Sequence, residues 1–336
     1  MKEKSAAILA EVKQADTILL CCHPSPDPDS VGSNLAMKSV LESMGKKVTL
    51  LGGDSEIPLA FMHFPGAESI VKKNFTEVDL KSFDLLIILD APSLDRVTRL
   101  AKTDVLLTML PPSLKIIMID HHEPRPLNTA VSLIDTSSPA TCALLFDLFK
   151  EWGIALDSNI ASNLFIGIFT DTGGFKYRNT RVRTFETAAE LVKLIPDHSE
   201  LISRMENTEP PATIAFYGKA FSSVETFLNG HLALSVVSHD DLVSMGIEDV
   251  GVRASGVFSR LRVVADWDIV ASLIEAEPNE IKCSFRSKDP VNFDVAKLCE
   301  QLGGGGHKTA AGAYLSMSLG DAKRLIVSKA KGMYNL

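Results

Sequence analysis

Four short apolar runs with little polar alternation constrain this chain more than any other feature: TILLCC (17–22), KKVTLL (46–51), FDLLIILD (83–90) and LKIIMID (114–120). A strand with one face in water alternates apolar and polar side chains, whereas a strand buried on both faces does not. Between the runs lie stretches with helical spacing, the clearest from Ser30 to Met44. Such a series specifies an α/β fold, a parallel sheet with helices on both faces. In these sheets ligands collect at the carboxyl ends of the strands. His23 follows the first run, Asp90 ends the third and Asp120 ends the fourth. Three separate strands therefore deliver polar residues to one edge.

Two helical stretches follow, near 138–151 and 158–169, the second running into TDTGGFKYRNT (170–180). From 181 to 228 the pattern stays helical, with a Pro-Pro break at 210–211. HLALSVVS (231–238), DIVASLIEA (268–276) and EIKCSFRS (280–287) read as strands, the last two joined by an EPNE turn. FDVAKLCEQLG (293–303) reads as a helix ending at glycine. At 336 residues the chain exceeds what one core usually organises. The expected division is a parallel-sheet domain at 1–195, a helical connector at 196–228 and a smaller mixed α/β domain at 229–336.

The 34 Lys and Arg against 42 Asp and Glu give a formal charge of −8, which leaves no global basic field for gripping a long duplex. No uncharged apolar run approaches the roughly 20 residues of a membrane helix. The opening MKEKSAAILAEVKQAD is too soon interrupted by Glu11 and Lys13 for a signal peptide. Five cysteines, odd in number and without CxxC spacing, argue against a disulfide framework or a zinc ribbon. A reduced, cytoplasmic protein is expected.

The loop HPSPDPDS offers His23, Asp27 and Asp29 straight after a strand, although a solvated turn capping the next helix through Asp29 or Ser30 would use the same residue types. Asp90 in IILDAPSLDRV could be a ligand or only the end of an element; Asp84 and Asp95 read as surface residues. MIDHHEP (118–124) is more specific, since one imidazole can bind metal with Asp120 fixing its tautomer, while the other donates to a phosphate. His63, His198, His231 and His239 lack such company. Asp171 stands in GIFTDTGGFKY, where it could simply end a helix. In QLGGGGHKTAAGA four glycines at 303–306 strip the chain of side chains ahead of His307, which suits close packing or backbone approach to an anion.

Taken in order, HxxxDxD, an aspartate at a strand end, DHH, DTG and GGGGH resemble the DHH phosphoesterase superfamily with its DHH-associated C-terminal domain. Within it they are most similar to the oligoribonuclease and pAp-phosphatase (nano-RNase) branch, over nearly the whole chain. The resemblance implies two divalent ions, Mn²⁺ suiting four carboxylates and two imidazoles best. His23 and Asp27 would serve one ion, Asp29, His121 and Asp171 the second, and Asp90 would bridge them. His122 would face the scissile phosphate beside Asp120. Arg286, His307 and Gly304, Gly305 and Gly306 would bind substrate.

The implied activity is hydrolysis of short RNA, of linear dinucleotides such as pApA, or of pAp, by water activated between two metals. No membrane and no long duplex belong to this picture, and a homodimer is compatible with it. The chain departs from the branch at EPRPLN (123–128), where an asparagine is usual, and at Ala143, where a glutamate is usual. It also has Lys176 in place of arginine and PDPD in place of PDGD. None of these removes a ligand, but they leave the substrate open among the three. A catalytically silent nucleotide sensor and a RecJ-like single-strand exonuclease are the other readings. The complete ligand set disfavours the first, and the short chain without added nucleic-acid-binding domains disfavours the second.

Overall fold

The computed structural model describes residues 2–98, 103–123, 129–207, 210–247 and 254–334. It divides into two compact units, Met1–Thr208 and Glu209–Leu336.

The first unit runs α1 (Lys2–Gln14), β1 (Thr17–Cys21), α2 (Pro28–Ser43), β2 (Lys47–Leu51), β3 (Leu85–Leu89), α3 (Thr103–Met109), β4 (Lys115–Asp120), β5 (Val131–Ile134), α4 (Thr141–Glu151), α5 (Ser158–Asp171), α6 (Val182–Val192) and α7 (His198–Glu206). Its five strands are all parallel, in the order β2-β1-β3-β4-β5. The pattern of the strands explains this. Alternate residues of one strand enter two different cores, and both are apolar. Ile18, Leu20, Ile87 and Ile117 join the core with α1, α2, α4 and α5. Leu19, Leu86, Ile88 and Met118 pack against Phe75 and Leu106 on the opposite face. That second face is covered by α3 and the 3₁₀ turns between 75 and 96.

In this strand order the chain turns one way from β1 to β2 and the other way from β1 to β3, so a crevice opens between β1 and β3 at their carboxyl ends. Two helices are drawn close beside it. A Cβ on Gly32 of α2 would lie 2.4 Å from the Asn163 carbonyl oxygen of α5, so glycine sets that crossing. The fifth strand, VSLI, escaped the sequence reading because it is short and only partly buried at the sheet edge.

The second unit runs α8 (Pro211–Ser222), β6 (Glu225–Phe227), β7 (Leu232–Val237), α9 (His239–Ser244), α10 (Ala254–Leu261), β8 (Ile269–Glu277), β9 (Glu280–Ser287), α11 (Val295–Glu300), β10 (Gly305–His307), β11 (Ala310–Ser316) and α12 (Leu319–Tyr334). Its six strands form one mixed sheet, β10-β11-β9-β8-β7-β6, in which only β7 and β8 pair in parallel. Asn279, at φ 65°, makes the tight turn between β8 and β9 that EPNE suggested. One face packs on α11 and α12 through Leu273, Phe285 and Ile326. The other packs on α8, α9 and α10 through Phe216, Leu242 and Phe258.

The segment 196–228 is not a free connector. Leu201, Ile202 and Met205 of α7 pack against the first unit's core, whereas Phe216 and Ala220 of α8 belong to the second unit's core. The Pro-Pro break supplies the start of α8, with Pro210 as its N-cap and Pro211 in its first turn.

Candidate metal centre

All six expected donors come together at the carboxyl edge of the first sheet. His23, Asp27 and Asp90 form one triad, and Asp29, His121 and Asp171 another; within each, one donor atom per residue lies within 4.8 Å of the others. Asp90 stands between them. Its Oδ2 is 3.5 Å from His23 Nε2 and its Oδ1 is 3.5 Å from His121 Nε2, so each oxygen of one carboxylate faces a different imidazole. Asp90 holds this pose with φ at 56°, a left-handed backbone that is uncommon for a residue with a side chain.

The neighbouring backbone fixes these groups. Asp27 caps α2, its Oδ1 accepting from the Ser30 N–H at 2.9 Å, which leaves Oδ2 facing His23 Nε2 at 3.8 Å. The helix cap is thus Asp27 rather than Asp29 or Ser30. Asp29, two residues on, is fully buried and accepts from the Thr141 and Cys142 N–H groups at the start of α4, at 2.7 and 2.9 Å. Nδ1 of His23 lies 3.1 Å from the Pro24 carbonyl oxygen. Donation of its hydrogen there leaves Nε2 as the nitrogen that turns toward the two carboxylates. Gly167 makes room for the cluster from α5: a Cβ there would lie 2.4 Å from Cys142 Sγ and 2.7 Å from Asp29 Oδ1. Neither Gly167 nor the α4 amides figured in the sequence reading, although a glycine inside the apolar run NLFIGIF was a usable signal.

Asp120 takes a different place from the one expected. Its Oδ1 accepts from the backbone N–H groups of His121 and His122 at 2.7 and 3.2 Å and lies 2.8 Å from His122 Nδ1. The carboxylate therefore fixes the tautomer of His122, not of His121, because the corner after β4 turns the second imidazole back over the strand end. Asp120 is fully buried and half of the His122 side chain is exposed. Asp120 thus acts through His122 as a positioning residue.

The electrostatics call for cations. Four carboxylates surround two imidazoles. Burial works against ionisation of His23, but the carboxylates of Asp27 and Asp90 beside it prevail and push its pKa up to about 10. His121 moves the same way, burial being outweighed by Asp90, Asp29 and Asp171. Burial raises Asp29, helped by the charges of Asp90 and Asp171. Burial and Asp90 also raise Asp171. Asp90 goes down, since the imidazoles of His121 and His23 beside it overcome its burial. Even so, His121 Nε2 and Asp90 Oδ2 are buried without a hydrogen-bond partner among the described residues. Orphaned donor atoms amid converging carboxylates fit divalent ions that accept both oxygen and imidazole nitrogen.

The remaining expected residues lie in the second unit. Arg286 on β9 is half-buried, its Nη1 donating to the Phe285 carbonyl at 2.9 Å and its guanidinium 4.8 Å from the Phe258 ring centroid. Among the described residues it has no carboxylate partner, and burial and the charge of Arg262 lower its pKa. Ala310 pairs with both Arg286 and His307, which puts the three in one row across β9, β11 and β10. Gly305 and Gly306 begin the edge strand of this sheet, and Gly303 and Gly304 lead into it from the end of α11. A Cβ on Gly304 would meet Gly312 O at 2.1 Å, and one on Gly306 would meet Ala310 O at 2.6 Å, so these glycines serve close packing; Gly305 has open space. The four bland histidines stay bland: His231 pairs with Asp268 at 2.7 Å and His239 Nδ1 lies 3.0 Å from the Ala276 carbonyl oxygen. His198 packs edge-on against Phe165, and His63 ends a 3₁₀ turn. Residues 124–128 of EPRPLN lie outside the described residues.

Residues 17–168 match the model of the DHH family, N-terminal domain. Residues 17–168 are a DHH-family domain. The bifunctional oligoribonuclease and PAP phosphatase NrnA of Bacillus subtilis (strain 168) is 27% identical to it over 331 residues, 95% of either chain. The protein of the same description from Thermus thermophilus is 29% identical, over 92% of this chain and 87% of its own. Among solved structures, an exopolyphosphatase-related protein from Bacteroides fragilis matches this chain with a TM-score of 0.86 at 21% identity. That match covers 100% of this chain and 97% of the other, and it establishes the shared fold.

Proposed function

We propose that this chain is a phosphoesterase dependent on two divalent ions, best served by Mn²⁺, which hydrolyses short oligoribonucleotides and pAp. The observation that carries this reading is the pose of Asp90, with one oxygen toward His23 and the other toward His121, at the meeting point of two donor triads. Support for the substrate class comes from the relatives named as oligoribonuclease and PAP phosphatase.

In this reading His23 and Asp27 hold one ion, Asp29, His121 and Asp171 the other, and Asp90 both. Bound there, two such ions neutralise phosphate oxygens and lower the pKa of an attacking water. The protein's own groups do the rest. The Thr141 and Cys142 amides keep Asp29 aimed, and Thr141 Oγ1 donates to Asp90 Oδ1 at 3.2 Å. Asp120 holds the Nδ1–H of His122, so that Nε2 is the atom left to face a phosphoryl oxygen. Arg286 and His307, with Gly304 to Gly306, bind the nucleotide, the guanidinium as a cation without a competing carboxylate among the described residues. All five cysteines are unpaired and buried, which supports a reducing, cytoplasmic setting. Among the described residues no helix is long and apolar enough to cross a membrane.

The test is hydrolysis of pAp, pApA and RNA of two to ten nucleotides with Mn²⁺, beside Asp90→Asn. The wild type should turn over these substrates and bind two ions, and the variant should lose both ions and activity. A wild type that is inert on all of them with every divalent metal would sink the reading. An Asp90→Asn enzyme with ordinary turnover would remove the bridge.

A further inference from the structure

The row that holds Arg286 and His307 is one of four on the same sheet face, the last of them being Glu280 beside Ser316, whose hydroxyl donates to the Glu280 carboxylate. Val270, Arg286, Ala310 and His307 make the first row; Ser272, Ser284, Gly312 and Gly305 the second; Ile274, Lys282 and Tyr314 the third. Directly paired residues share a face, with their Cβ atoms about 5 Å apart. Over β8 this face is closed, since Val270, Ser272 and Ile274 are buried beside α8, α9 and α10. From β9 outward it opens. Lys282, Ser284, Arg286 and Gly312 are only partly buried, and Tyr314 is 71% exposed.

The middle row carries only small side chains, so no bulk rises between Arg286 and the Lys282–Tyr314 pair. Its Ser272 hydroxyl is buried without a hydrogen-bond partner among the described residues. Lys282 forms no ion pair there either. An unpaired ammonium directly across from an exposed phenol ring offers what a single-stranded nucleotide chain uses without regard to sequence: a π-face for a base and a cation for its phosphate.

We propose that Lys282 and Tyr314 form a distal nucleotide subsite, on which a single strand anchored at Arg286 and His307 lays a further base and phosphate. This rests on the assignment of Arg286 and His307 to nucleotide binding. Four residues along β9 separate the two cations, about 14 Å of strand. A stacked single strand rises roughly 3.4 Å per nucleotide, so about four stacked nucleotides, or fewer when extended, cover that span. The subsite therefore senses length. A pentanucleotide reaches it, and pAp or a dinucleotide does not.

The test uses the Mn²⁺-supplemented full chain and phosphorothioate-linked RNA that resists hydrolysis, a pentanucleotide and a dinucleotide, with binding read by fluorescence anisotropy. Lys282→Ala/Tyr314→Ala should weaken the pentanucleotide about ten-fold or more and leave the dinucleotide within about two-fold. Lys282→Arg and Tyr314→Phe should each retain binding of the longer strand. Unchanged pentanucleotide affinity in the double variant overturns the proposal, as do equal losses on both lengths. So does a Tyr314→Ala change that alters sedimentation but not RNA binding, which would make the surface a contact between copies. If the wild type hydrolyses no short nucleotide yet the length-dependent loss persists, the phosphoesterase reading falls and the subsite stands.

Discussion

Gly167→Ala tests how tightly the second triad is built. The added methyl would sit 2.4 Å from Cys142 Sγ, 3.1 Å from Cys142 Cβ and 2.7 Å from Asp29 Oδ1. Ordinary contact begins near 3.5 Å, so the sulfur must retreat by about 1 Å and the carboxylate by somewhat less. Neither is free to move. Cys142 begins α4 inside the core, and Asp29 is held by the two amides of that same turn. Overpacking of this kind costs about 1–3 kcal/mol, and the better helix propensity of alanine returns about 1 kcal/mol. The net loss of stability is therefore about 0–2 kcal/mol, small enough for the variant to fold. The effect on the centre is larger, because metal ligands tolerate displacements of only about 0.2 Å. Affinity for the ion served by Asp29, His121 and Asp171 should fall about 10–100-fold, with kcat recovering only at high Mn²⁺. The assay is a Mn²⁺ titration of pAp hydrolysis beside a thermal melt. Adding Cys142→Ala should relieve the sulfur contact and restore part of the affinity. A Gly167→Ala enzyme that saturates at the wild-type Mn²⁺ concentration would refute the packing argument.

Two further outcomes are expected. Asp120→Asn keeps an oxygen for the two backbone N–H groups but removes the charge that holds His122, so kcat should fall about 10–100-fold with metal stoichiometry intact; full activity, or loss of metal, would contradict the role given to Asp120. Asp84, exposed at the start of β3, accepts from the Asp16 and Thr17 N–H groups and the Thr17 hydroxyl, each at 2.9 Å, and the backbone bonds from Thr17 and Asp16 lower its pKa. A folded-state pKa below the unfolded one stabilises above the unfolded pKa and is lost as pH falls through the folded one. Asp84→Asn should thus cost about 1 kcal/mol at neutral pH, discounted for its exposure, and denaturant melts of the two proteins should converge in acid.

The strand ends were legible because a strand buried on both faces announces itself, and a polar residue right after it has one place to go. His23, Asp90 and Asp120 were found that way, the HPSPDPDS loop offered Asp27 and Asp29, and the DHH and DTG motifs supplied His121 and Asp171. What stayed hidden depends on contacts between distant segments. Nothing local says that Gly167 faces Cys142, or that α4 lends its first amides to Asp29. The partner of Asp120 turns on the direction of a two-residue corner, which spacing alone leaves open. In the glycine-rich stretch there are no side chains to alternate, so the edge strand β10 becomes visible only through its pairing with β11. Likewise α7 and α8 share one helical pattern in the sequence, and only the destination of Leu201 and Phe216 reveals that they belong to different cores.

The left-handed backbone at Asp90 sets fold and chemistry against each other. Glycine adopts such a φ without strain, and a residue with a Cβ does not. At this one position the substitution that relaxes the chain is also the one that deletes the carboxylate between the two imidazoles. A library of variants ranked by melting temperature would therefore enrich Asp90→Gly, and the same library ranked by turnover would discard it. Thermostability engineering of this protein has to hold position 90 fixed, because the conformational strain there is inseparable from the group that faces both triads.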